Sequence, residues 1–323
     1  MAALLGIGLG IGFILSDYRI SRRMAKILYG INIFMLLLVL SPLGTKVNGA
    51  RSWLFFFQPA EISKLILIFT LAELLNRKTD FNSCFDLIGP MVHIGIPFLL
   101  ICLQPNLGTG LVLLFILFLM LYMAGVPGVK LLSVILAGAL GVSLIFLSHH
   151  YLHTPLPVKQ YQIARLTSFI DPEKDATGSG WHLRQAIIAV GSGQFFGKGF
   201  LRGTQGRLGY LPESSTDFIF SVYCEEFGFC GAFLVLFLYF LLIRRGILIA
   251  SRARERMGGL VGVGVVAMLL FHVLENTGMN LGIMPIAGIP LPFISFGGTS
   301  MAVNIIAVAI LLNIWGCGQG LIF

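Results

Sequence analysis

Seven ionisable residues interrupt the long apolar stretches of this chain: Glu61, Lys64, Glu73, Asp217, Glu225, Glu226 and Glu275. An ionised group at hydrocarbon depth is costly, so such groups face a cavity, pair with one another or do chemistry. Asp217 stands out. It ends the run Leu211-Pro-Glu-Ser-Ser-Thr-Asp217 and opens a long apolar segment. Ser214, Ser215 or Thr216 would cap a helix there, and the free amides of its first turn would hold the Asp217 carboxylate ionised. An ionised carboxylate so placed suits a general base or a cation ligand, although plain stabilisation of a helix start reads equally well. Ser221 and Glu225 follow at i+4 and i+8. They extend a polar stripe roughly 12 Å inward at 1.5 Å per residue, which predicts a water-filled site.

Glu61 and Lys64, spaced i and i+3, can pair on one helix face. They form a structural ion pair, or Lys64 joins Arg51 in facing an anionic head group. Glu275 either faces the same cavity or packs through hydrogen bonds. His149, His150 and His153 have a spacing that invites a metal, but no third kind of ligand stands beside them. The run Gly191-Ser-Gly193-Gln-Phe-Phe-Gly197-Lys198-Gly199 lacks the Ser or Thr that follows a phosphate-loop lysine, so its glycines read as turns at a bilayer surface. Five cysteines without a C-x-x-C pair support neither a disulfide framework nor a zinc site.

The elements that must position these residues are helices in a bilayer. Hydrophobic residues make up 57% of the chain and charged residues 11%, with a mean hydropathy of +0.91. Charged residues run at about a quarter in soluble domains, so an aqueous fold is excluded. About nine spans follow, near Ala2–Leu15, Met24–Leu40, Pro59–Leu75, Leu87–Leu103, Leu107–Ala124, Val129–Ser148, Asp217–Ile243, Gly258–Leu281 and Gly297–Trp315. Basic residues collect in four turns on one side: Arg19 to Lys26, Arg77-Lys78, Lys130, and Arg244 to Arg256. That side is cytoplasmic by the positive-inside rule, which puts the large hydrophilic loop, residues 151–216, outside. The same rule accounts for most of the net charge of +8, so no nucleic-acid partner is expected. The loop mixes charge with apolar runs and should lie on or dip into the outer leaflet. Pro285, Pro290 and Pro292 make Gly282–Phe296 an irregular wall of an outward-opening cavity. The expected architecture is a single all-α membrane domain over residues 1–323, a polytopic helix bundle with that one extracytoplasmic loop.

Several ordered motifs resemble the SEDS family of shape, elongation, division and sporulation proteins, its RodA branch in particular. They are Asn48-Gly-Ala-Arg-Ser-Trp53 with Gln58-Pro-Ala-Glu61-Ile-Ser-Lys64, Gln104-Pro-Asn-Leu-Gly-Thr109, Phe169-Ile-Asp-Pro-Glu173, and Gly203-Thr-Gln205 with Leu211 to Phe220. Glu225-Glu226-Phe-Gly228 and Gly288-Ile-Pro-Leu-Pro-Phe-Ile-Ser-Phe-Gly-Gly298 complete the set. The resemblance implies a peptidoglycan glycosyltransferase that polymerises lipid II at the outer face of the cytoplasmic (inner) membrane. Its partners would be a class B penicillin-binding protein, the elongation complex and membrane lipids. It implies Asp217 as the catalytic residue and as ligand of a divalent cation, magnesium or manganese, with no organic cofactor. Arg51, Glu61, Lys64, Lys198, Arg202, Arg207 and Glu275 would then bind substrate, the basic groups holding its diphosphate. Two departures stand out. Asn106 replaces the family's usual aspartate, and the family has ten spans, of which this chain is expected to begin at the second. A lipid II flippase and a non-catalytic scaffold for the penicillin-binding protein remain alternatives. Polar residues crowding the outer side favour the enzyme over the flippase.

Overall fold

Backbone amides have no water to bond inside a bilayer, so apolar runs of spanning length fold as helices. The computed structural model describes the chain except residues 1, 16–17, 20, 48–49, 55–56, 79, 82, 153–164, 166–167, 170, 172–177 and 320–323. The histidine cluster lies outside the described residues, His153 wholly and His149 and His150 in their side chains.

A helix occupies each predicted span: α1 Ala2–Leu15, α2 Arg22–Leu40, α3 Pro59–Asn76, α4 Ile88–Leu103, α5 Leu107–Met123 and α6 Gly128–Leu152. After the loop, which contains α7 Ser179–Ser192, come α8 Ile219–Ser251, α9 Arg256–Asn280 and α10 Gly298–Gly318. Among the described residues, five segments are long and apolar enough to cross a membrane by themselves: α2, Phe85–Leu103, α8, α9 and α10. α3 matches them in length but carries Glu61, Lys64 and Glu73. The chain is a multi-pass membrane protein. A two-stranded hairpin, Thr45–Val47 against Ala50–Trp53, is the one sheet among the described residues.

α9 is the axis of the bundle. In its most apolar stretch 78% of residues are buried, against 17% for α8, so α9 faces protein all round while α8 faces lipid. Glycines let its neighbours in: a Cβ on Gly264 would sit 2.7 Å from Ile68 Cγ2 on α3 and 2.9 Å from Met120 Sδ on α5. α1 docks on α10, where Asn313 Nδ2 donates to Phe13 O at 3.0 Å and Ile14 O at 2.7 Å, satisfying carbonyls at the end of α1.

At the end opposite the loop the predicted basic turns converge. Arg256 donates to Lys78 O and Ala124 O at 2.9 and 3.0 Å, Lys130 to Phe81 O at 2.6 Å, and Arg19 pairs with Glu255 at 2.8 Å.

The loop end is built from three irregular pieces. α7 buries Leu183 and Ala186 against Leu211, Phe218, Met279 and Ile286. Residues 282–296 are irregular, as their prolines predict, and bury Ile286, Ile289 and Leu291. Tyr239 OH, donating to Pro292 O, ties this segment to α8. The third piece is a break in α8 at Gly228, whose φ of 65° and ψ of −162° are not helical. Segment 194–199 inserts there: Lys198 N donates to Glu225 O and Gly199 N to Glu226 O, while Phe229 N and Cys230 N donate back to Gln194 O and Phe195 O. These glycines were expected to make surface turns. Instead Gly197 and Gly228 bring two backbones together, and a Cβ on Gly228 would lie 2.4 Å from Gly197 N.

Candidate active site

The site forms where the 211–218 turn, the carboxyl end of α9 and the proline-rich segment meet. α8 starts at Ile219 without a side-chain cap, so Asp217 lies two residues ahead of the spanning helix rather than in its first turn. The cap expected from Ser214, Ser215 or Thr216 is absent because Phe218 stands at the N-cap position. Phe296 N donates to Ser215 O at 2.8 Å, Ser295 Oγ to Thr216 O at 2.7 Å, and Asn276 and Asn280 Nδ2 to Asp217 O at 2.9 and 3.1 Å. Asn276 also donates to Ile289 O at 2.8 Å, and Asn280 Oδ1 accepts from Ser221 Oγ at 2.6 Å. Both asparagines are fully buried. Two side-chain donors thus fix the Asp217 carbonyl, two more donors hold the Ser215 and Thr216 carbonyls before it, and the Asp217 carboxylate is left to other work.

Gly288 marks where that carboxylate points. A Cβ there would lie 3.2 Å from Asp217 Oδ2 and 3.8 Å from Arg165 Nη1, so the carboxylate and the guanidinium share one small space against a glycine of φ +71°. Burial pushes the Asp217 carboxyl up to about 6, with Arg165 opposing the rise and Glu213 adding to it. This corrects the expected strong ionisation by helix amides: the group is not at the helix start, and desolvation outweighs the nearby cation. Arg165 was one charge among eleven in the loop and carried no signal of its own.

Glu275 joins this space. It is 3% exposed, and its Oε1 accepts from Ala287 N at 3.2 Å while Oε2 has no protein partner. One turn back on the same face of α9 lies His272, which sequence reasoning missed. His272 Nδ1 faces Met268 O at 2.6 Å, and a carbonyl only accepts, so Nδ1 carries the proton. Nε2 then accepts from Lys64 Nζ at 2.8 Å, and Lys64 also pairs with Glu61 Oε1 at 2.8 Å. The predicted pair forms, but Lys64 is 1% exposed and turned to Glu61 and His272, so it does not face a head group. His272, Glu275, Asn276 and Asn280 make a polar ladder down one face of α9.

The other assigned residues lie apart. Glu225 is completely buried, and of the polar stripe expected from Asp217 through Ser221 to Glu225 the two inner members are engaged by protein, Ser221 by Asn280 and Glu225 by the 198–205 segment. Glu225 Oε1 accepts from Lys198 Nζ at 2.6 Å and from Thr204 N and Oγ1 at 2.8 Å, and Oε2 accepts from Gln205 N at 3.1 Å. Lys198 is therefore a clamp on Glu225 rather than a free ligand for diphosphate. Arg202 is exposed at the Gly199 turn, and Arg207 lines a groove of 570 Å³ with Gly203, Ser214, Ser215 and Glu226. Arg51 belongs to the second hairpin strand, and its side chain lies outside the described residues. Asn106 caps α5, accepting from Thr109 N at 3.3 Å, which an aspartate would do equally.

Residues 1–316 match the family described as cell cycle proteins of the FtsW, RodA and SpoVE type. The chain belongs to the SEDS family. Among SEDS relatives it is 39% identical to stage V sporulation protein E of Bacillus subtilis over 92% of this chain and 80% of that one. It is 38% identical to the peptidoglycan glycosyltransferase MrdB of Escherichia coli, covering 92% and 79%. A probable peptidoglycan glycosyltransferase FtsW of Trichlorobacter lovleyi follows at 35%, covering 92% and 77%. Two solved structures share the fold. One, from work on coordination of polymerization and crosslinking by a peptidoglycan synthase complex, has a TM-score of 0.79 at 30% identity over 98% and 89% of the chains. The other, the rod shape determining protein RodA of Thermus thermophilus, has a TM-score of 0.66 at 28% identity over 97% and 86%.

Proposed function

We propose that this SEDS protein is a peptidoglycan glycosyltransferase that polymerises lipid II at the extracytoplasmic face of the cytoplasmic membrane, with Asp217 as general base. The observation that carries the reading is the mounting of Asp217: carbonyl pinned by Asn276 and Asn280, the preceding Thr216 carbonyl by Ser295, carboxylate beside Arg165. In the reaction the 4-hydroxyl of one saccharide attacks the anomeric carbon of another and expels a lipid diphosphate with inversion. That step needs one base on the hydroxyl and positive charge on the departing diphosphate. A carboxyl at about 6 is ionised at neutral pH yet basic enough to take the proton as the bond forms. Arg165 supplies fixed positive charge beside it.

No group of three or more His, Cys, Asp or Glu fit to hold a metal occurs among the described residues. A divalent cation fits this donor set only as magnesium or manganese sits with phosphates, on one protein carboxylate and substrate oxygens. Asp217 would hold it, and it would neutralise charge on the leaving diphosphate. The basic turns support a loop on the outer side, and the likeness to a protein of a peptidoglycan synthase complex that coordinates polymerization and crosslinking supports a cross-linking partner, which we take to be a class B penicillin-binding protein of cell-wall elongation. Leu36, Leu67, Leu71, Ile94 and Leu113, all fully buried, fill the bundle between its two ends, which favours an enzyme over a flippase.

The test is glycan synthesis from fluorescent lipid II and a divalent cation by the chain purified with its class B partner. Ladders from the wild type and none from Asp217→Ala are expected. Ladders that persist in Asp217→Ala overturn the catalytic assignment.

A further inference from the structure

At the end of the bundle opposite Asp217, α2, α3 and α4 enclose a cavity of 330 Å³ whose lining takes no part in the site above. Its rim carries Arg22 and Lys26 on α2, one turn apart, and Arg77 at the end of α3, against the single carboxylate of Glu73. Glu73 Oε1 takes Arg77 Nε at 2.6 Å, so the acid holds the guanidinium at the rim instead of opposing a ligand. Arg22 and Lys26 have no acidic partner among the described residues, and both are exposed. Three cations against one anion leave the rim with a net charge of +2.

Inside the rim the walls turn polar, then apolar. Tyr29 stacks on the His93 ring at 4.2 Å and donates to His93 O at 3.0 Å, while His93 Nε2 meets Thr70 Oγ1 at 2.9 Å. These bonds fix the wall without using the basic groups. Ala25 and Leu74 form the floor. Beside it, exposed apolar residues run down α4 at helical spacing from the His93 wall: Val92, Ile96 and Leu99. A positively charged mouth at a span end, an apolar floor and an apolar track leading along α4 have the chemistry of one ligand class. Basic pockets between spanning helices at such ends hold anionic head groups.

We propose that this cavity binds an anionic diacyl phospholipid, its phosphate on Arg22, Lys26 and Arg77 and its acyl chains along the exposed face of α4. The site is separate from the substrate site, being at the other end of the bundle, and it needs no catalytic residue.

The test uses the full chain in nanodiscs of phosphatidylcholine with a trace of phosphatidylglycerol, the bound lipid counted by native mass spectrometry. Arg22→Gln/Lys26→Gln should bind phosphatidylglycerol roughly 30-fold more weakly, at about 1 kcal/mol per basic residue. Arg23→Gln/Arg244→Gln removes the same charge at the same end outside the cavity and should change binding less than about twofold. Leu74→Trp, which fills the floor without altering charge, should also release the lipid. Equal loss in both double variants, retention in Leu74→Trp, or equal uptake of phosphatidylcholine would each overturn the proposal. Displacement by millimolar inorganic phosphate would reassign the cavity to a free anion and likewise overturn it.

Discussion

Asp217 and Glu225 sit eight residues apart at the same end of the bundle, and the chain treats them in opposite ways. Glu225 is the more deeply buried, and every donor around it comes from its own chain: Lys198, Thr204 and Gln205. At Asp217 the donors go to the backbone carbonyl, and the carboxylate is left beside Arg165 and Gly288. A carboxylate whose lone pairs are all filled from within holds a structure together. One whose backbone is filled and whose side chain is not is set up to meet something from outside.

The widest separation of the two should come from Asp217→Ala. Polymerisation should fall by about 10²- to 10⁴-fold, the usual contribution of a positioned acid or base, with an unchanged thermal midpoint in detergent. A midpoint that drops with the activity would make Asp217 structural and erase the contrast. Glu225→Ala should do the reverse, costing about 3 kcal/mol of stability by leaving Lys198 and the Thr204 and Gln205 amides unpaired. Its midpoint and its protease sensitivity across 198–205 report this, whereas activity rescued at low temperature would confirm that no chemistry was lost.

A smaller effect is expected from Asn280→Ala, which removes one of the two side-chain donors to Asp217 O. kcat should fall about tenfold with KM nearly constant, since misplacement rather than binding is at stake. Loss of KM alone would place Asn280 in substrate binding.

The smallest effects concern pH. Folding raises the Asp217 carboxyl from 3.8 to about 6, so the folded state favours its protonated form. Activity, which needs the ionised form, should halve near pH 6 and fall roughly tenfold per unit below it. The stability sign is opposite: the buried charge is a cost present above about 6 and gone below 3.8. Asp217→Asn should therefore raise the midpoint slightly at neutral pH and leave it unchanged in acid. A variant that is less stable at neutral pH would mean Arg165 wins over desolvation.

What could be read from the sequence follows from how local each cause is. The spans were legible because a helix in lipid is set by its own run of apolar residues, and the ends agree to within a few residues except for α6 and α8. Glu61 with Lys64 was legible because the pair lies within one turn. His272, Asn276 and Asn280 were not, because an amide or imidazole in an apolar helix gains its meaning only from a partner up to 208 residues away. Lys198 was misassigned for the same reason, since its carboxylate lies 27 residues further on. Gly228 and Gly197 showed as glycines, but nothing local says that one breaks a helix to admit the other.

That break also constrains biogenesis. Segment 194–199 leaves the ribosome before α8, and it must wait at the membrane surface with its amides open until Glu225 and Glu226 arrive. The first part of α8 cannot complete its hydrogen bonding as an isolated hairpin arm, so its insertion is coupled to the placement of chain already translated. A substitution such as Gly197→Val would then show first as protein degraded during synthesis, before any purified material could be assayed.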